Sequence, residues 1–524
     1  MTNAIIYSLI TLLLVFLLKD VFQKKNSVIR NFPLLGRLRY LFIALGPPIR
    51  QYFIASNREE LPFNRSQRNW IDHSANRTNN YEGFGTDKDM YHPGHVFINP
   101  TMFPFKMESD HINDDKNDPY FIPSAKVMGL RHKRKYPYRP YSIINISAMS
   151  YGSLSKKAQE ALNRGAAMVG CYHNTGEGGL SPYHRQGADS IFHMGTGYYG
   201  CGITAADGKR YFDWDTCKEL VFDKYPGKVK AIEIKLSQGA KPGKGGVLPK
   251  EKNNKEIAEI RGVEPYTDIL SPSYHTAFSN VREMVDFIEL LAEKSGVPVG
   301  IKSAVGDLAQ WYELVEIMKK ENKGPDFITI DGGEGGTGAA PPSFADHVAL
   351  PWVFGFSEVY NIFNENGLAE DITFIGSGKL GFPSEVLKAF SMGVDVINIA
   401  REAMMAIGCI QSQVCHTDKC PTGIATQNKW LQRGLDPTLK SVRFGNYVNI
   451  LRKEVLQMTH ACGYEHPCQM KMIDIDISCG DNNKVITLEK AYNYAKHPVP
   501  FNSMKDLYEC EYLGGLGKHP NQLK

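Results

Sequence analysis

From Ser142 onward the chain alternates short apolar stretches with longer segments of helical period. Ile143–Ser147, Ala167–Tyr172, Ala231–Leu236, Val297–Lys302, Phe327–Ile330, Ile372–Ile375 and Val394–Ile399 have the length and composition of buried strands. Between them, Ser155–Met168, Asn280–Lys294, Leu308–Lys320 and Pro383–Met392 read as helices. Ser155 is a capping residue, and Pro383 fits a first helical turn. Strand–helix repetition of this kind calls for parallel strands joined by right-handed crossovers. Seven or eight such units over roughly 290 residues suit a closed (β/α)8 TIM barrel better than an open sheet, so the expected class is α/β.

The flanks follow other rules. Ala4–Leu18 is apolar apart from Tyr7, Ser8 and Thr11, and Val21 and Phe22 extend it past Lys19 and Asp20. At about 1.5 Å per residue, the run from Ala4 to Phe22 extends about 28 Å, close to a bilayer core. A cleaved signal would need a basic start and a small-residue cleavage site. No Lys or Arg precedes the run and no such site follows it, so an uncleaved transmembrane anchor is expected. The cations Lys19, Lys24, Lys25 and Arg30 all follow the run, which predicts a single-pass protein of the cell (inner) membrane with its body in the cytoplasm. Tyr40–Leu45 is too short to span and predicts an interfacial or packing helix. The expected division is an anchor over 1–25, an irregular extension over 26–140, the barrel over 141–435, and a mixed C-terminal extension over 436–524.

Composition adds exclusions. The formal charge of +4 in 524 residues gives no electrostatic reason to bind nucleic acid. Ten cysteines, at 171, 201, 217, 409, 415, 420, 462, 468, 479 and 510, would sit in a reducing compartment and are not read as a disulfide framework. The basic run Arg131–Arg139 reads as a solvated loop or as a contact for anionic lipid or a flavin phosphate.

Candidate chemistry lies at the strand ends. Glycine-containing segments follow five of the expected strands: Ala148–Ser153, Asn174–Gly179, Ser237–Gly246, Asp331–Gly338 and Gly376–Lys379. Glycine admits a flat ring or a phosphate close to the main chain. In phosphate-binding barrels the phosphate sits after the last two strands, which points to Gly376–Lys379 and Asn398–Arg401. Lys302 ends an apolar strand, from which it can enter the site and stabilise negative charge on a reduced flavin, or else snorkel to solvent. Gly195, Gly197 and Gly200 form a G-x-G-x-x-G, but no strand is expected before it and no helix after it, so it reads as structural. Cys409, Cys415 and Cys420 form a C-x5-C-x4-C trio, which suits three iron corners better than zinc. A fourth ligand could come from Cys462 or Cys468.

Taken together, Ser147–Ser155, Asn174–Gly179, Glu233–Pro249, Asp331–Pro341 followed by Leu350-Pro351-Trp352, and Gly408–Gln427 resemble the FMN-binding domain of glutamate synthase, in family order and over about 280 residues. The short, anchored form is similar to the stand-alone FMN-binding members of that family. The resemblance implies FMN, and a 3Fe–4S cluster on Cys409, Cys415 and Cys420. It implies an oxidoreductase acting on CH–NH2 donors, which converts 2-oxoglutarate and ammonia to glutamate through 2-iminoglutarate. Electrons would come from a donor such as ferredoxin or an NAD(P)H-oxidising subunit. Lys302, Glu177 and Gln238 match catalytic positions, with Lys302 also near the substrate. Met149, Ser150, Gln238, Lys302, Gly335, Gly336, Gly338, Gly376, Ser377, Gly378 and Arg401 are the expected FMN contacts. Arg185 is a candidate for holding a substrate carboxylate.

Two departures from the family pattern stand out. The catalytic cysteine that starts the large enzymes is replaced by the apolar run, so free ammonia or a separate amidotransferase is expected as nitrogen source. Leu180 stands where the family motif ends in an acid, and Ser303–Asp307 also differ. These departures bear on the 2-oxoglutarate specificity. They keep open an FMN oxidoreductase of another amine, imine or 2-oxo acid, and an electron-relay subunit of a membrane complex.

Overall fold

The computed structural model describes residues 2–106, 120–480 and 484–494; Cys510 lies outside them. Two units are distinguished, Met1–Trp70 and Ile71–Lys524. In the first, helix α1 (Thr2–Phe22) is followed by α2 (Leu35–Ile49), which contains the expected Tyr40–Leu45. Asn3–Phe22 is long and apolar enough to cross a membrane, with a mean hydropathy of 2.2 and almost no side chain buried. Asp20 at its end accepts from the Arg37 guanidinium (Nε, 2.8 Å) and from the Leu34 N–H (3.1 Å), which fixes the turn between the helices.

The second unit contains eight parallel strands closed into a barrel. They are β1 (Ile144–Ile146), β2 (His173–Asn174), β3 (Ser190–Met194), β4 (Val229–Lys235), β5 (Val299–Ser303), β6 (Phe327–Asp331), β7 (Thr373–Ser377) and β8 (Val396–Ile399). Each strand pairs with its neighbours in sequence, and β8 closes on β1 with Ile397 opposite Ile144. The expected helices are present as α3 (Lys156–Met168), α4 (Val281–Ser295), α5 (Ala309–Glu321) and α7 (Pro383–Ser391), with α6 (Trp352–Glu365), α8 (Arg401–Ala406) and α9 (Pro437–Ala461) beside them. Ser155 caps α3 by accepting from Ala158 N–H, and Asn280 caps α4 by accepting from Glu283 N–H.

Two strand expectations are corrected. Ala167 and Met168 belong to α3, which ends where Gly170 turns the chain at φ +68°; the strand is His173–Asn174. Ser190–Met194 was not read as a strand because Ser190 and His193 break its apolar run. It is β3, so the G-x-G-x-x-G does follow a strand. It still opens no helix: a hairpin of Gly202–Thr204 with Arg210–Phe212 comes next.

The floor of the barrel is sealed by the segment before β1. Met128 and Tyr138 exchange main-chain hydrogen bonds of 2.8 and 3.1 Å. Their side chains pack with Tyr172, Ile191, Ala231, Phe327, Ile375 and Val396, the lowest inward layer. The run Arg131–Arg139 is solvated at Lys133, Lys135 and Tyr136, while its arginines are engaged within the fold. Arg134 pairs with Glu289 (2.7 Å) and Asp326 (3.0 Å), Arg131 with Asp371 (2.5 Å), and Arg139 donates to the Ser124 carbonyl. Val96–Ile98 pairs with Ile475–Ser478, which pairs with Val485–Thr487, so the segments flanking the barrel share one small sheet.

Candidate active site

Side chains alternate along each strand, so one parity lines the barrel. On β4 that parity is Ala231, Glu233 and Lys235, rising from floor to mouth. Glu233 is the centre of a buried network: it accepts from Asn174 Nδ2 (2.8 Å) and Thr329 Oγ1 (2.6 Å), and lies 2.7 Å from His193 Nδ1. Burial opposes its ionisation, but His193, Lys302 and Thr329 outweigh burial and hold its carboxyl at about 2. Burial keeps His193 below its ordinary value.

At the next level Lys302 is buried inside the barrel, with Nζ 3.4 Å from Asp331 Oδ1. Asp331 is held by Ser377 Oγ (2.7 Å) and by Gly239 N–H (2.9 Å). Lys302 therefore points into the site rather than to solvent. The loops after the strands meet at this mouth. A Cβ on Gly239 would lie 1.7 Å from the Gly332 carbonyl oxygen, one on Gly338 would lie 3.1 Å from Ser153 Oγ, and one on Gly176 would lie 2.4 Å from Ser150 N. These contacts join the loops after β1, β2, β4 and β6, main chain against main chain at Gly239 and Gly176 and against the Ser153 hydroxyl at Gly338.

Beside Lys302 is a group of cations that the strand pattern alone did not single out. Lys235 Nζ donates to Glu177 Oε2 at 2.7 Å. Burial raises the Glu177 carboxyl, but Lys235, His193 and Lys241 outweigh it and hold it at about 2. Lys241 is buried and donates to the Ala339 carbonyl (3.0 Å); burial lowers its pKa against the pull of Glu177. Arg261 is buried, donates to the Tyr151 carbonyl (3.1 Å), lies over the Tyr199 ring and has no partner for its Nε among the described residues. Lys235 was legible as the next inward position above Glu233. Arg261 ends a short helix, Lys255–Arg261, outside the strand–helix repeat, and nothing local marks it.

A second cationic corner follows β7 and β8. Arg401 opens α8 and donates to the Glu334 carbonyl (2.7 Å). A Cβ on Gly336 would lie 2.7 Å from Arg401 Cδ, and one on Gly378 would lie 2.6 Å from Trp352 Cβ. Gly335 N–H turns back to the Gly332 carbonyl, and Gly376 lies on β7 over the Trp352 ring. The Trp352 indole is buried and its Nε1–H has no partner among the described residues. Burial and the neighbouring Arg401 lower the Lys379 pKa, so these cations face one another.

Met149 is buried, its carbonyl taken by Gln159, and Ser150 borders Gly176 and Gly178. Gln238 is half-buried beside Gly239. Arg185 is not brought to this group: it donates to the Lys224 carbonyl, ahead of β4 at the opposite end of the barrel.

Cys409, Cys415 and Cys420 follow α8. Burial pushes the Cys409 thiol up to about 12, and the other two thiols add to the shift; burial and Cys420 likewise raise Cys415. Cys420 is lowered: burial opposes ionisation, but the Thr422 hydroxyl and the N–H groups of Ala425, Thr422 and Ile424 prevail. Among the described residues no three His, Cys, Asp or Glu side chains surround a single-ion position. Cys462 and Cys468 are free thiols raised by burial.

Residues 103–465 match the family described as the conserved region in glutamate synthase. The glutamate synthase large subunit-like protein YerD of Bacillus subtilis is 38% identical over 479 residues, which is 86% of this chain and 89% of that protein. The archaeal-type glutamate synthase (NADPH) of Thermotoga neapolitana is 34% identical over 324 residues, 61% of this chain and 59% of that protein. Among solved structures, a flavocytochrome b2 mutant with pyruvate bound is 12% identical with a TM-score of 0.42, over 89% of this chain and 93% of that one.

Proposed function

The chain belongs to the glutamate synthase family, and from that premise we propose that it is an FMN-dependent oxidoreductase that reductively aminates 2-oxoglutarate to glutamate through 2-iminoglutarate. The observation that carries this reading is the trio of buried cations, Lys235, Lys241 and Arg261, gathered around Glu177 next to Lys302. A dicarboxylate 2-oxo acid needs two anion sites and a polar centre between them, and this group supplies both.

The residues fit FMN on two counts. The mouth is lined by glycines packed loop against loop. The corner after β7 and β8 combines Arg401 and Lys379, cations suited to its phosphate. Bound FMN would supply the hydride for the imine carbon.

The chain's own residues would do the rest. Arg261 and Lys241 would bind carboxylates. Lys302 would place positive charge beside the flavin ring. Glu177, ionised at neutral pH, would accept hydrogen bonds from the nitrogen of ammonia and then of the imine. Lys235, bonded to Glu177, would hand its Nζ proton to the oxygen that leaves as water. Arg185 has no part in this scheme.

The thiol trio also fits a 3Fe–4S cluster. Such a cluster spreads its thiolates over several irons instead of gathering them round one ion. The C-x5-C-x4-C spacing suits three iron corners, and Cys420 lies 3.4 Å from the Thr422 hydroxyl, a donor for a thiolate. We further place the chain at the cell membrane through α1, with an external donor such as ferredoxin or an NAD(P)H-oxidising subunit, and with free ammonia or a separate amidotransferase supplying nitrogen.

The deciding experiment is anaerobic reoxidation of the reduced flavin by 2-oxoglutarate plus ammonia, with other 2-oxo acids alongside. Glutamate formation coupled to reoxidation is expected. Reoxidation only by a different 2-oxo acid would favour the second reading, to which the buried Leu180 in the second glycine loop points. Cys409→Ser should remove iron and labile sulfide.

A further inference from the structure

Lys252 is a buried ammonium with no salt bridge among the described residues, 3% exposed, two residues before the Asn254 cap of the helix Lys255–Arg261. It donates to three main-chain carbonyls: Cys415 at 2.7 Å, Ala425 at 2.9 Å and Ser153 at 3.3 Å. Cys415 and Ala425 lie in the cysteine loop, and Ser153 lies in the loop after β1. Asp418 makes no salt bridge with Lys252 and compensates it in part, through space; its Oδ1 accepts from Gln427 N–H (2.6 Å) and Thr426 Oγ1 (3.1 Å). Carbonyl dipoles solvate a buried cation but do not neutralise it, and an uncompensated buried charge is costly.

The same contacts bind two loops together. In the loop after β1, every carbonyl from 150 to 154 is taken. Ser150 accepts from Leu154 N–H, Tyr151 from Arg261, Gly152 and Leu154 from Gln427 Nε2 (3.1 and 3.0 Å), and Ser153 from Lys252. Gln427 closes the cysteine-loop segment, and Ser155 N–H bonds the Ile424 carbonyl of the same segment at 2.7 Å. The backbone that faces the flavin site is thus held by donors from the cysteine loop and from the short segment that also bears Arg261.

We infer that Lys252 is the built-in counter-charge of an anionic iron–sulfur group on Cys409, Cys415 and Cys420, and a positioning residue that makes the loop after β1 respond to that group. The inference rests on the cluster reading above. A fixed cation beside a redox centre favours the reduced, more negative state, so removing it lowers the reduction potential. A shared clamp makes the coupling reciprocal, since whatever orders the cysteine loop also orders the flavin-facing loop.

The test uses the full-length chain purified anaerobically, as wild type, Lys252→Met, Lys252→Arg and Gln427→Leu. Iron and labile sulfide per chain, the cluster potential followed by electron paramagnetic resonance, and the FMN dissociation constant would be measured. Lys252→Met should shift the potential to more negative values and weaken FMN at least fivefold. Lys252→Arg, which keeps the charge, should hold the potential near wild type. Gln427→Leu, which cuts the clamp but not the charge, should weaken FMN without moving the potential. An iron-replete Lys252→Met with wild-type potential and FMN affinity would overturn the inference, as would a potential shift in Gln427→Leu equal to that of Lys252→Met. Wild-type protein free of iron and sulfide would instead overturn the cluster reading, and the counter-charge with it.

Discussion

The two ends of the barrel handle charge in opposite ways. At the floor, cations meet carboxylates: Arg134 with Asp326 and Glu289, Lys126 with Asp395, Arg131 with Asp371. At the mouth, Lys235 pairs with Glu177 and Lys302 with Asp331, while Lys241, Lys252 and Arg261 are buried against carbonyl oxygens. The floor is electrostatically complete and can only hold the fold together. The mouth carries an excess of buried positive charge, which an anionic ligand would complete. In (β/α)8 enzymes the loops at the C-terminal face bear the chemistry and the other face bears stability, and here the buried cations bonded to carbonyls set the mouth apart from the floor.

The contrast can be broken most forcefully at the floor. Asp326 is buried and accepts from Arg134 Nε, from Val299 N–H (2.8 Å) and, 2.7 Å away, faces His132 Nδ1. Asp326→Ala should cost about 3–5 kcal/mol of stability in denaturant unfolding, because it leaves buried donors unpaired. The flavin content of the protein that remains folded should not change. At the mouth the reverse is expected. Arg261→Gln should lower kcat/KM for the 2-oxo acid roughly a hundredfold, about 2–3 kcal/mol, with the unfolding midpoint nearly unmoved. A variant that unfolds the protein instead would make Arg261 a structural residue.

Acid should act on the interior in two steps. Burial holds His184 and His275 at about 4, so they stay neutral in the folded chain. The unfolded chain takes up these protons as pH falls through about 6.5, so stability should decline from about pH 6.5 to about 4. Glu177 and Glu233 stay ionised down to about 2, so their contribution is complete above about 4.3 and is lost between there and 2. Urea midpoints measured against pH should show both declines, and Glu233→Gln should flatten the second. The smallest effect belongs to the floor's exposed margin: Arg131→Ala, whose partner Asp371 is half exposed, should cost less than about 1 kcal/mol.

Much of this was readable in the sequence because barrel physics repeats. Six of the eight strands announce themselves as apolar runs, and the glycine loops mark the mouth without any knowledge of contacts. What escaped did so for stated reasons. β3 carries His193 inward to meet Glu233, so its polarity hid it. Ala167 and Met168 form the last turn of α3, half-buried and exposed in turn, so an apolar pair that looked like strand was helix. Lys241 and Arg261 act from the loop and short helix after β4, where no periodicity reports direction. Arg185 has the right chemistry for a carboxylate, but the chain between β2 and β3 carries it past the mouth to the Lys224 carbonyl. Arg131–Arg139 looked available for a ligand until the floor carboxylates were in view.

The seal formed by Met128 and Tyr138 also bears on traffic. Among the described residues the plug closes the floor end, so on the proposed reaction 2-oxo acid would enter and product would leave over the glycine loops. Product should then compete with substrate, which product-inhibition kinetics would check.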